Sequence, residues 1–205
     1  MFTKATVISA LAGLAVAAPY HPTPVHNPNI FVANINHSGS PIQFSAVNAK
    51  GLEFNVNNGT KTYCPAGQVD CSHAGTATVF AYQPESQTLA MDVTVPGGQR
   101  AFVRKDGSLG FTIAHSGAIP EGAMLGPFQF TPQQESGTVG RLLFEERGFN
   151  ACKTGQKGSS GRDVYKLYAL SIASKEQLEK ECTDVVFNTA TWTGAMAWQS
   201  EMKSF

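Results

Sequence analysis

From residue 30 onward, apolar side chains alternate with polar or small ones in short runs. Phe31, Ala33 and Ile35 fall on one side of an extended segment and Ile30, Val32 and Asn34 on the other. The same period of two recurs over Ile42, Phe44 and Ala46 and over Leu52, Phe54 and Val56, and it places successive residues on opposite faces of a strand. Further runs of strand character fall at residues 76–82, 88–95, 99–104, 109–114, 127–131, 140–147 and 164–170, with a spacing of about ten residues that suits serial short strands. Between them lie Asn57-Asn58-Gly59, Pro96-Gly97-Gly98, Lys105-Asp106-Gly107 and Gln134-Glu135-Ser136-Gly137, where Gly and Asn supply the positive φ that tight hairpins need. The pattern predicts an all-β domain over residues 30–192, an antiparallel β-sandwich or barrel of short strands. One short helix is predicted over residues 174–182, with Ser174 and Gln177 in capping-box register and Leu178 and Cys182 one turn apart.

The segments flanking this domain have a different composition. Lys4 is followed by an uncharged apolar run from Ala5 to Val16, and Ala15-Val16-Ala17 places alanine at both cleavage-specifying positions. Residues 1–17 therefore read as a secretory signal peptide, too short before Pro19 to span a bilayer. Residues 18–29 carry prolines at 19, 22, 24 and 28 and predict an extended leader. Residues 193–205 form a tail whose Glu201 and Lys203 exclude a lipid-anchor signal. Export changes the meaning of the four cysteines. In an oxidising compartment Cys64, Cys71, Cys152 and Cys182 admit three pairings, of which chain order favours Cys64 with Cys71 and Cys152 with Cys182. A zinc site is the weaker alternative, because neither pair has CxxC spacing and only His73 lies near a cysteine. Export also makes Asn36-His37-Ser38 and Asn58-Gly59-Thr60 candidate glycosylation sites at Asn36 and Asn58.

Charge and motif content exclude several functions. Fifteen Lys plus Arg balance fifteen Asp plus Glu, leaving no basic stripe for nucleic acid and no polybasic membrane patch. The stretch from Gly155 to Gly161 is rich in glycine, but its lysine precedes the second glycine and a strand follows it. A phosphate loop requires Gly-Lys-Ser/Thr opening a helix, so a solvated loop is expected. His37-Ser38, His115-Ser116 and Glu145-Glu146 are adjacent pairs. Read as strand residues, the members of each pair face opposite ways, whereas two glycosidase carboxylates must face each other across roughly 5 to 10 Å. His21 would suit copper or nickel only if a free amine began at Pro19, and cleavage after Ala17 displaces it. Trp192, Met196, Trp198, Met202 and Phe205 give the tail an aromatic, sulfur-rich character, read as packing against the barrel end, with contact to a partner or sugar ring as the alternative. No catalytic, cofactor-binding or metal-ligating residue is assigned, and no cofactor is expected.

Phe31-Val32-Ala33 followed by His37-Ser38-Gly39-Ser40-Pro41-Ile42-Gln43-Phe44 resembles the opening of the phialide-type fungal cell-wall proteins, a family that includes IgE-binding allergens and plant-recognised elicitors. The likeness continues through Ala101-Phe102-Val103, Gly110-Phe111-Thr112, Asn150-Ala151-Cys152, Val164-Tyr165-Lys166-Leu167-Tyr168 and Cys182. It spans roughly residues 30–187; the tail from Trp192 reads as additional, and the aromatic strand carries tyrosines in place of tryptophan. The resemblance implies a secreted, non-enzymatic, wall-associated protein with roles in wall or conidiophore development, met by a host as an elicitor or effector. The partners it implies are fungal wall polysaccharide or a host extracellular defence protein. The alternative class is a carbohydrate-binding protein or a polysaccharide hydrolase using Glu146.

Overall fold

The computed structural model describes residues 27–174, 176 and 181–200. The signal peptide read over residues 1–17, most of the leader over 18–29 and the tail beyond 200 lie outside the described residues. Most of the helix read over 174–182 does too; Glu176 is helical, and Cys182 begins a strand.

Among the described residues the chain is all-β, with fourteen strands. In β1 (Ile30–Asn36) Phe31, Ala33 and Ile35 are buried and the residues between them are half-buried, as a period of two dictates. Strands β2 (Val47–Lys50) and β3 (Glu53–Val56) form a hairpin whose two-residue turn, Gly51 and Leu52, has φ of 65° and 64°, the twist that closes such hairpins. After the short β4 (Thr62–Tyr63) come β5 (Phe80–Gln83), β6 (Thr88–Met91), β7 (Gln99–Val103) and β8 (Leu109–Phe111), each antiparallel to the next. The remainder comprises β9 (Phe128–Thr131), β10 (Gly140–Phe144), β11 (Phe149–Lys157), β12 (Asp163–Ala169), β13 (Cys182–Thr191) and β14 (Gln199–Ser200).

The hydrogen-bonded path β1-β5-β6-β7-β8-β3-β12-β11-β13 returns to β1 through the β1–β13 ladder, so the sheet closes on itself as a barrel. Closure leaves no free edge along that path. Two strands turn its corners. β7 meets β6 through Gln99 and Arg100 and β8 through residues 101–103. β13 gives residues 182–185 to β11 and 187–189 to β10, while residues 186–191 pair with β1. The interior is rich in phenylalanine: Phe31, Phe54, Phe111, Phe128, Phe144, Phe149 and Phe187 are all at most 1% exposed. Their rings interlock, with Phe149 and Phe187 stacked at 4.0 Å and Phe54 tilted against both Phe80 and Phe111 at 5.3 Å.

Several local readings need correction. Residues 42–46 do not form a strand: Ile42 is buried, but Phe44 is turned outward in a hydrogen-bonded turn between β1 and β2. The strand read over 140–147 stops at Phe144, and Glu145 and Glu146 form a tight turn at φ 47° and 61°. His37-Ser38 and His115-Ser116 also lie in turns, so the opposite-face argument does not apply to any of the three pairs. Residues 155–157 are the end of β11, beyond a register irregularity at Gly155, rather than loop. The reading of the tail stands as far as Ser200, for it packs against the barrel: Ala197 is buried and bridges to Val93, and the Ser200 amide donates to Gln99 Oε1 at 2.8 Å.

Candidate functional site

Three turns meet at one end of the barrel and leave a trough between them. The first is the turn after β1. Ile42 anchors it in the core, the Phe44 amide donates to the Ile35 carbonyl at 2.8 Å, and the Ile35 amide donates to the Ser45 carbonyl at 2.9 Å. This leaves Phe44 at φ 61° and 73% exposed. A bulky residue at positive φ is a steric outlier, and here it contributes no burial in return. The second is the Asn57-Asn58-Gly59 turn after β3, with Asn57 and Gly59 at φ 65° and 69°. The third is the tip of the β11–β12 hairpin, where the Gly158 amide donates to the Arg162 carbonyl at 2.9 Å.

The central depression, 410 Å³, is lined by Gln43, Phe44, Ser45, Asn48, Asn57, Ser159, Ser160 and Arg162 among others. Asn57 and Arg162 are shared with a second depression of 180 Å³ that reaches Lys157, Asp163 and Tyr165. Ala46 and Asn48 are shared with a third, of 360 Å³, that runs on to Thr60, Thr76 and Thr78. The three therefore adjoin one another along the surface, each neighbour sharing two lining residues with the central one. Asn57 Nδ2 donates to the Asp163 carbonyl at 3.0 Å and ties two of its walls together. Thr60 and Thr78 hydroxyls are 2.6 Å apart, and Asn48 Nδ2 donates to Thr60 at 3.3 Å.

The trough carries little uncompensated charge. Lys157 pairs with Asp163, and this hydrogen bond holds the Asp163 carboxyl below the ordinary carboxylate range, against a smaller opposing push from desolvation. Because the pKa is depressed, the pair is intact above the ordinary aspartate value of about 3.9 and opens only in stronger acid. Arg162 has no carboxylate partner among the described residues; its Nε donates to Ser160 Oγ at 3.4 Å.

Gly158 sits where the hairpin tip meets the Asn57 turn, and a methyl group built on it would overlap the Asn57 carbonyl oxygen. Backbone cannot step aside as a side chain can. Gly158→Ala is therefore expected to cost about 1–3 kcal/mol, as overpacking does, and to speed amide exchange across residues 57–59. Equilibrium unfolding and hydrogen exchange on the variant check both effects.

The residues singled out from sequence are dispersed. Cys64 pairs with Cys71, and Cys152 with Cys182 directly opposite it on β11 and β13. Asn36 and Asn58 both lie beside the trough: Asn36 Oδ1 accepts from Gln43 Nε2 at 3.3 Å, and Asn58 Oδ1 accepts from Lys50 Nζ at 3.0 Å. Glu146 is exposed in its turn, its amide donating to Gln129 Oε1 at 2.9 Å, and it lines none of the three depressions. His37 donates from Nδ1 to the Asp184 carbonyl at 2.6 Å, a structural bond bracing the first turn against β13. Trp192 Nε1 donates to the Ala195 carbonyl at 3.4 Å, so its ring closes a local turn of the tail. Sequence reasoning missed Phe44 as a surface group, because its apolar alternation with Ile42 mimics a strand. It also missed Ser159 and Ser160, read only as solvated loop, and Arg162 just beyond that loop.

The PhiA-like secreted protein family matches residues 31–200 of this chain. That range includes the segment from Trp192 to Ser200, which is thus part of the family's fold and not an addition to it. An uncharacterized secreted protein of Arthroderma benhamiae is 38% identical over 132 residues, a stretch covering 63% of this chain and 64% of that relative's length. No solved structure matches the chain. With residues 31–200 matched, and with the barrel, both disulfides and the described part of the tail inside that range, the chain belongs to the PhiA-like secreted proteins of fungi.

Proposed function

We propose that this secreted protein is a non-enzymatic component of the fungal cell wall, retained there by contact with wall polysaccharide. In this reading the same surface-exposed scaffold acts in wall development and is what a host meets as elicitor or allergen. The lining of the trough carries the proposal. It offers amides and hydroxyls, which can both donate to and accept from sugar hydroxyls, and one exposed ring. Its single carboxylate, Asp163, is already paired with Lys157, whereas hydrolysis of a glycosidic bond calls for two facing carboxyl groups. Two disulfides and a closed barrel suit long residence outside the cell.

The test is co-sedimentation of the purified oxidised protein with isolated fungal wall glucan and chitin, run beside a pull-down from host apoplastic fluid. Retention on polysaccharide is expected. Capture by a host protein with no retention on the wall would replace the wall role with that of a secreted effector. Release of reducing sugar, abolished by Glu146→Gln, would overturn the non-enzymatic reading.

A further inference from the structure

We infer that Phe44 is the stacking platform of a binding site for a neutral polysaccharide chain, which lies along the trough from the β11–β12 hairpin tip to the Thr76–Thr78 segment. This rests on the wall-association reading and gives it an address.

Three observations converge on the ring. The turn that holds Phe44 needs a residue at positive φ, a demand that Gly or Asn meets without strain. Phe44 is the most exposed of the large hydrophobic residues among those described, so packing does not account for its presence. Strained backbone that a surrounding network over-determines is a mark of functional surface, and here Ile42 and the bonds to Ile35 supply that network. A phenyl face held open in this way matches the apolar C–H face of a pyranose ring.

The polar groups around it match the sugar's edge. Gln43, Asn48, Asn57, Ser159 and Ser160 line the same depression as Phe44, and each amide can donate and accept at once. The shape selects a polymer. Small-molecule sites are enclosed and mostly apolar, whereas this one is shallow, mixed in polarity and continued on both sides by adjoining depressions. A chain can therefore enter at one end and leave at the other. Lys157 and Asp163 cancel each other, so Arg162 is the one uncompensated charge of the lining; a single cation falls short of the run of positive charge that holds an acidic polymer, and uncharged glucan or chitin fits better. Arg162 has the planar donor fork to bridge neighbouring hydroxyls.

A candidate glycan acceptor lies close at hand: Asn58 stands between Asn57, which lines the first two depressions, and Thr60, which lines the third. A glycan attached there would compete for the trough.

The experiment is isothermal titration of the secreted, oxidised full chain with laminarihexaose and with chitohexaose, repeated on Phe44→Ala, Phe44→Trp, Val139→Ala and Asn58→Gln, alongside the wall co-sedimentation. Saturable binding of at least one hexaose is expected, weakened about tenfold or more by Phe44→Ala, kept by Phe44→Trp, and unchanged by Val139→Ala at an exposed site outside the trough. Unchanged unfolding of Phe44→Ala shows that the loss is not a folding defect. Equal binding by Phe44→Ala and the parent, or wall retention without hexaose binding, would overturn the trough assignment and leave the wall role standing. Binding by Asn58→Gln alone would assign the trough to the protein's own glycan and overturn the inference. Failure of both hexaose binding and wall retention would remove the wall role, and the site with it.

Discussion

Truncating Phe187 to alanine is expected to lower the free energy of unfolding by about 4 kcal/mol. The side chain is 1% exposed and stacks on Phe149 at 4.0 Å with the planes 11° apart. Its position multiplies the effect. Phe187 sits where β13 passes from β11 to β10, opposite Leu142 on one edge and Ile35 on the other. A cavity there borders three buried side chains from three strands, and the backbone of a strand paired on both edges cannot collapse into it. Loss of the ring pair adds to the transfer and cavity costs. Measured by urea unfolding, the midpoint should fall with little change in slope, the sign of a stability change alone. Phe130→Ala serves as the comparison: Phe130 is only partly buried at the margin of the core, stacked on Phe31 at 4.3 Å, and should lose no more than about half as much. Equal losses at the two sites would mean that the β13 junction has no special weight.

The elements that the sequence made legible are those in which alternation and turn chemistry agree. β1 and β6 carry buried residues at every second place; β3 was legible from Phe54 and Val56 and from the Asn57-Asn58-Gly59 turn that follows, although Asn55 between them is buried as well. β11 and β13 were hidden for opposite reasons. In β11 the first four residues are all buried and the last five all exposed, so no period of two exists, and Gly155 and the lysines beside it read as loop. In β13 the period is present in Val185, Phe187 and Thr189, but Thr189 is a buried polar group standing at an apolar place, and the strand opens on polar Thr183 and Asp184. Closure of the barrel depends on β13 pairing with β1, a contact across most of the chain's length that no local pattern encodes. The trough was illegible on the same ground. Its walls come from residues near 44, 57 and 160, and each by itself is an ordinary turn. Only Phe44 carried a local signal, a large apolar residue between Gln43 and Ser45, and that signal is shared with every half-buried strand.

Replacing both Cys152 and Cys182 by alanine is expected to cost roughly 3.5 kcal/mol, and replacing Cys64 and Cys71 roughly 2.5 kcal/mol, on the chain-entropy relation between loop length and stability. The sequence separations are 30 and 7, so the longer loop restricts the unfolded chain more. Alanine is the appropriate replacement because Cys152 is 5% exposed and a serine hydroxyl there would enter the core without a partner. In the folded state the β11–β13 register does not depend on the sulfur link alone, since the ladder from Phe149 opposite Val185 to Cys152 opposite Cys182 carries it. The hairpin tip that forms one wall of the trough is likewise held by its own bonds, Lys157 to Asp163 and the Gly158 amide to the Arg162 carbonyl. The Cys152→Ala/Cys182→Ala protein should therefore unfold at lower denaturant while, well below its midpoint, retaining the hexaose affinity of the parent. Thermal and denaturant unfolding give the first number and titration the second. A larger loss from the short loop than from the long one would refute the entropic account. Loss of affinity in a still-folded variant would mean that the disulfide, and not the hairpin's internal bonds, sets the shape of the trough.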